Sequence, residues 1–272
     1  MLISRIDDHQ SWRIACGRQR LLVDPWLVDD LEVGPGGLWL RRTHGAPVAL
    51  RPRDIASDEI VVLTSPRADH AHLRTLTALD RGLRVIGAPA AIRLARRLGF
   101  RSTIALAPGM RVVLEDEIAL TALRPRLPYG SHSIGILFES LVDGVRAYLE
   151  PHRAPEQHPL LTSPVDVLIL PVQQVRVRHL GVALAMDMEE GISLARRLDA
   201  RLVLATGTTT GPLKGLLGRA LLEQQGGLKA FEALASLHLG EGRGRVLRPG
   251  ERVRISPRSA QPARPASRAL PA

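Results

Sequence analysis

Residues 60–72 read Ile-Val-Val-Leu-Thr-Ser-Pro-Arg-Ala-Asp-His-Ala-His. Four consecutive apolar residues with no polar alternation describe a short strand buried on both faces. That strand runs directly into a loop presenting one carboxylate, Asp69, and two imidazoles, His70 and His72. Titratable groups at the end of a buried strand make this the first candidate site in the chain.

The surrounding pattern changes character twice. Residues 2–6, 11–15 and 19–23 read as short strands with turn signals at Asp7-Asp8 and Gly17-Arg18. Pro25 stops the third. A Gly- and Pro-rich stretch over 34–53 follows, long enough for a flap, with Trp39 and Leu40 as its expected anchors. From residue 59 strands alternate with helices: strand 60–63, helix 71–79, strand 84–86, helix 88–98 with Gly99 at its end. Segments 111–114, 118–123, 134–139 and 145–149 read as a meander turning at Asp143-Gly144. Strand 165–170, helix 186–198 and strand 201–205 come next. Helices over 212–223 and 228–237 and closing strands over 245–247 and 252–255 complete the pattern. Two β-rich halves, each with helices and no linker between them, give an α/β fold arranged as a four-layer αββα sandwich. A doubly wound sheet accommodates much of the middle as well.

The chain has 272 residues, enough to bury a large core. No run approaches the roughly 18 apolar residues of a membrane span, the N-terminus has no signal-peptide pattern, and Cys16 is the only cysteine. A cytoplasmic protein without internal disulfides is expected. The formal net charge of +10 raises nucleic-acid binding as a function. However, the charge is almost all arginine and is scattered rather than clustered, so that role is not favoured. Residues 257–272 are rich in proline and poor in large apolar side chains, and they read as a disordered tail behind a domain spanning 1–256.

The strand and its loop resemble the metallo-β-lactamase superfamily, which carries Thr-His-x-His-x-Asp-His at such a strand end. Here the same stretch is Thr64-Ser65-Pro66-Arg67-Ala68-Asp69-His70. The likeness continues in Leu21-Leu-Val-Asp-Pro-Trp-Leu27, similar to the lactonase-like branch, and in residues 186–205. Tyr148-Leu-Glu-Pro-His152 resembles a degenerate branch of Zn-dependent hydrolase-like proteins in cyanobacteria and plastids. The resemblance implies a hydrolase in which zinc or another divalent metal activates water. It also implies damage: Ser65 and Arg67 stand at two ligand positions, and Gly207 stands at the last histidine. The ligands then left are Asp69, His70, His132, Glu150 and His152, with Asp69 as ligand or base. Arg67 is a permanent cation that repels a dication and can pair with Asp69 instead.

Other readings compete with each of these. Asp69 suits the first turn or N-cap of a helix. His132 suits a turn, and His152 suits a structural hydrogen bond. His70 and His72 cannot share one helical face, and His70 is the one expected in the cleft. Arg67 with Thr206, Gly207 and Thr208, before a helix starting at Pro212, offers amides and hydroxyls for a small anionic substrate without a metal. Three functions therefore stand: a hydrolase with an eroded metal centre, a non-catalytic member binding a small anion or a protein, and a basic nuclease-like protein.

Overall fold

A computed structural model describes residues 1–130, 132–155, 159–178, 180, 182–208, 213–216 and 222–258. The first sheet begins as an antiparallel run of β1 (Leu2–Arg5), β2 (Trp12–Cys16) and β3 (Gln19–Val23). Two short strands, β4 (Leu31–Val33) and β5 (Leu40–Arg42), follow outside it. The sheet then continues in parallel through β6 (Ile60–Leu63), β7 (Arg84–Gly87) and β8 (Ser102–Ala105). The second sheet is a meander of β9 (Arg111–Leu114), β10 (Ile118–Leu123), β11 (Gly135–Ser140) and β12 (Arg146–Leu149), extended in parallel by β13 (Val167–Pro171). After β14 (Gln174–Val177) and β15 (Val182–Ala183), β16 (Leu202–Thr206) joins β13 in parallel. The remaining strands are β17 (Leu213–Lys214), β18 (Leu222–Gln225), β19 (Gly244–Arg245) and β20 (Arg252–Arg254). β20 closes on β1, and β19 closes on β16. Both main sheets have seven strands, so the doubly wound alternative is excluded.

Alternation places the core. Along the second sheet Leu120, Phe138, Leu149, Ile169 and Leu204 pack inward against Ile3, Ile14, Leu21 and Val62 of the first. Their neighbours Leu137, Tyr148, Leu168, Leu170 and Val203 face outward, under Ile192, Leu194, Phe231 and Ala235. These last four belong to the outer helices α3 (Met188–Arg197) and α4 (Leu228–Leu239). The first sheet carries α1 (Leu73–Ala78) and α2 (Pro89–Arg97). The layers are thus αββα. Pro89 presets the first turn of α2, Arg96 and Arg97 complement its C-terminal end, and Gly99 follows with φ +91°. The Asp187 side chain caps α3 by accepting from Glu190 N.

Several expectations change. Strands β4, β5, β8, β14, β15, β17 and β18 were not foreseen. The expected helix over 212–223 has strand at its described ends, β17 and β18, and residues 217–221 lie outside the described residues. Trp39 is 43% exposed, its indole lying over Gly34 rather than in the core. Arg258, inside the expected tail, pairs its guanidinium with Asp166 (3.1 Å) and Asp199 (2.6 Å). The rest of the expected tail, 259–272, lies outside the described residues. Among the described residues no helix is long and apolar enough to cross a membrane.

Candidate anion-binding cleft

The C-terminal ends of parallel strands β3, β6, β12, β13 and β16 gather at one edge of the sandwich, where α/β folds bind ligands. Two three-stranded sheets, β4-β5-β17 and β15-β14-β18, frame a cavity of about 350 Å³ there. Leu31, Val33, Leu40, Val175, Leu184 and Leu222 give it apolar walls, while His9, Arg42, Arg67, Asp69 and His152 make its polar end.

Beneath that polar end runs a line of alternating charge. Asp24, held at φ +45° just after β3, accepts from Thr64 N (2.7 Å) and Thr64 Oγ1 and pairs with His70 Nδ1 (2.7 Å). His70 Nε2 lies 3.5 Å from Asp69 Oδ2, and Asp69 Oδ1 lies 3.5 Å from Arg67 Nε. Burial opposes charge on His70, but Asp69 and Asp24 outweigh it and raise its pKa. Burial likewise opposes ionised Asp69, yet His70 and Arg67 hold it far below the usual carboxylate range. Arg67 also lies over the Tyr129 ring, which stacks on His152 (3.9 Å between centroids). Burial, then the neighbouring His70, pushes the His152 pKa well down, leaving a neutral ring. His152 Nε2 sits 3.2 Å from Ser133 Oγ, which donates to Ser65 Oγ (2.9 Å).

The expected site residues therefore divide. Arg67, Asp69, His70 and His152 converge. His132 does not: it is exposed, and the next residue, Ser133, faces inward. Glu150 turns away from the cavity, because period-2 alternation puts it on the face of Tyr148. Tyr148 Oη donates to it (2.6 Å), as does His152 N (3.0 Å). Gly135 leaves the room for this pair, since a Cβ there would lie 2.8 Å from Glu150 Oε2. The hydroxyls of Thr206 and Thr208 are also committed, donating to His9 O (3.1 Å) and Asp8 O (3.3 Å), and Gly207 N donates to His9 O (2.8 Å). Only Gly207 of the three borders the cavity. Residues 209–212, the rest of the expected anion loop, lie outside the described residues. Asp69 is no helix cap, because α1 starts at Leu73 behind His72. His72 is buried away from the cavity, with Nδ1 3.0 Å from Thr75 Oγ1.

The sequence profile of the "Beta-lactamase superfamily domain" matches residues 6–207, well over half of the chain. The chain belongs to the beta-lactamase superfamily. Solved structures agree with this superfamily fold. The isothiocyanate hydrolase from Delia radicum gut bacteria superposes with a TM-score of 0.73 at 15% identity, over 94% of this chain and 100% of that one. A possible metal-dependent hydrolase from Veillonella parvula gives 0.70 at 15% identity, over 94% and 99%. A metallo-beta-lactamase fold protein from Bacillus subtilis gives 0.59 at 13% identity, over 93% and 99%. No curated protein sequence matches the chain significantly.

The donors present in this superfamily member do not fit the metal that its relatives imply. Among the described residues no three His, Cys, Asp or Glu side chains converge into a metal-binding group. Catalytic zinc keeps three protein ligands. Here the Asp69 carboxylate is taken by Arg67 and His70 Nε2 (3.5 Å each), His152 Nε2 lies against Ser133 Oγ, and the His9 ring lies against Arg42. Asp24, Thr64, Ser133 and Arg42 complete the floor and were missed in the sequence. Asp24 and Thr64 carried a signal there, as the acid in Leu-Val-Asp-Pro-Trp and the threonine that opens the strand-end motif.

Glu150 supplies a pH test. Burial pushes its pKa up to about 7, although Tyr148 and the His152 amide favour the anion. Between pH 4.5 and 7 the folded state then holds a proton that the unfolded chain has lost, so this group's contribution to stability falls as pH rises. Glu150→Gln keeps an acceptor for His152 N and removes the charge. Its melting temperature relative to the parent is expected to rise from pH 5 to pH 8. A constant difference across that range, in parallel thermal melts, would contradict this account of Glu150.

Proposed function

We propose that this superfamily member binds a small organic anion in its cleft through protein cations rather than hydrolysing a substrate with metal-activated water. The observation that carries this reading is the Asp24–His70–Asp69–Arg67 chain, which pairs side-chain cations with Asp24 and with the acid of the strand-end loop, the segment that resembles the superfamily's metal-binding motif. The sequence-based model of one zinc or other divalent ion on Asp69, His70, His132, Glu150 and His152 needs two donors that face elsewhere.

The protonation states favour binding over hydrolysis. A general base works best with a pKa near the working pH. Asp69 is far too acidic, and His152 is held neutral with a depressed pKa. Glu150, the carboxyl near 7, faces Tyr148 behind the second sheet. Ser65 and Ser133 bond to each other, are buried and do not border the cavity, so neither presents a nucleophile.

Elemental analysis of protein purified without a tag or chelator tests the proposal. Zinc, manganese and iron together are expected below about a tenth of an equivalent, and titrated zinc is expected to leave the melting temperature unchanged. A metal that stabilises the folded state shifts the melt by mass action. Half an equivalent or more of bound metal in native preparations would end this reading.

A further inference from the structure

Arg42 ends β5, opposite Leu31 on one side and Leu213 on the other, and turns its side chain to the polar end of the cavity. The residue is only 8% exposed. Its Nε is buried with no partner. Its Nη1 lies 3.3 and 3.5 Å from the two ring nitrogens of His9, and that ring is kept neutral by burial and by Arg42 itself. Among the described residues no carboxylate stands within ion-pair distance of Arg42. Asp69 is taken by Arg67 and His70, and Asp8 binds His44 Nδ1 (2.8 Å) and Gly45 N (2.7 Å).

A buried guanidinium without a counter-charge is costly, and folded proteins pair such groups with carboxylates or ligands. Among the described residues the other cations at the polar end, Arg67 and His70, already have their acids. The remaining walls of the cavity are mostly aliphatic, with Gln10, Gln173 and Tyr129 among them, and its volume suits a small molecule.

We infer that Arg42 is the head-group receptor for an organic monoanion, a carboxylate carried on an apolar body that fills the space between Leu31, Val33, Leu40, Val175, Leu184 and Leu222. This deepens the proposed function and rests on it. A carboxylate suits the planar fork of a guanidinium, which offers two parallel donors at a fixed spacing. Among the described residues Arg42 is the cation at the polar end with no carboxylate in direct contact, Asp69 and Asp8 acting on it only at longer range, whereas Arg67 and His70 share Asp69 and Asp24. Arg67 at the mouth is therefore secondary for affinity.

The test is calorimetric titration, in buffer containing EDTA, of octanoate, decanoate and dodecanoate against the alcohols of equal length. The carboxylates are expected to bind at least tenfold more tightly than the alcohols. Arg42→Met is expected to weaken carboxylate binding roughly ten- to hundredfold, the worth of a charge-assisted pair, and to leave the alcohols unchanged. Arg67→Met is expected to stay within about threefold of the parent by the same argument that its charge is already paired. Leu184→Trp, which fills the cavity with Arg42 intact, is expected to block both series. Equal binding of acids and alcohols, no binding of any acid, or full carboxylate affinity in Arg42→Met would each overturn the inference. If Arg42→Met fails to fold, the comparison of acid with alcohol on the unaltered chain still decides. Metal content of the same preparation is a separate readout: bound metal would remove the proposed function, while the Arg42 result would stand or fall by itself.

Discussion

Arg5→Met is expected to destabilise the protein by about 3–5 kcal/mol, which lowers the melting temperature by roughly 10 °C or more for a domain of this size. Arg5 is fully buried and lies over the Trp12 ring at 4.4 Å. Its guanidinium donates to Asp7 O (2.7 Å), His9 O (2.6 Å) and Ala205 O (3.2 Å), and reaches the hydroxyls of Thr206 and Thr208. Methionine conserves much of the packing volume but takes the guanidinium donors from the carbonyls of Asp7 and Ala205, each costing about 1–3 kcal/mol, while His9 O keeps Thr206 Oγ1 and Gly207 N. Burial draws the Arg5 pKa down to about 10, which still leaves it charged at neutral pH. Denaturant melts read the loss, and a change below 1 kcal/mol would mean that water replaces the side chain without penalty.

Asp24→Ala is the second large effect, again about 3–5 kcal/mol, because it leaves an imidazolium buried beside one carboxylate instead of two. It also strips an acceptor from Thr64 N and Thr64 Oγ1. The sign of the pH dependence follows from His70. Its folded pKa is raised above the unfolded value near 6.5. The stability it contributes is complete below about pH 6.5 and is lost as pH rises through the folded value. The gap between parent and Asp24→Asn, which keeps the shape but not the charge, is therefore widest in mild acid and narrows in alkali. Proton resonances of His70 give the decisive readout: its pKa is expected to fall in Asp24→Asn. An unmoved His70 pKa would show that the dyad is not electrostatically coupled.

How far the sequence disclosed this arrangement depends on alternation and on partners. The strands over 60–63, 111–114 and 118–123 coincide with the observed elements, since each is an uninterrupted β-favouring run. The pairing of Arg67 with Asp69 was legible as well, because a fixed cation two residues from an acid at a strand end has little else to meet. Strands β14 and β18 were not, because Gln174-Val-Arg-Val and Leu222-Glu-Gln-Gln are polar edge segments that gain their state from each other. Glu150 was misplaced by motif reasoning, although counting from Tyr148 puts the two on one face. His132 and Ser133 differ by one residue, and only the turn after Tyr129 decides which faces inward. Arg42 carried no signal at all: nothing in Leu40-Arg-Arg says which arginine is buried.

The bonds from Arg5 to Ala205, Thr206 and Thr208 span some two hundred positions of sequence, and β1 finds its outer neighbour only at Arg252–Arg254. During synthesis the ribosome therefore releases the first strands long before their permanent companions exist. The cleft can close only once residues 202–208 have emerged, so nascent fragments lacking them should expose the early apolar strands and depend on chaperones until then.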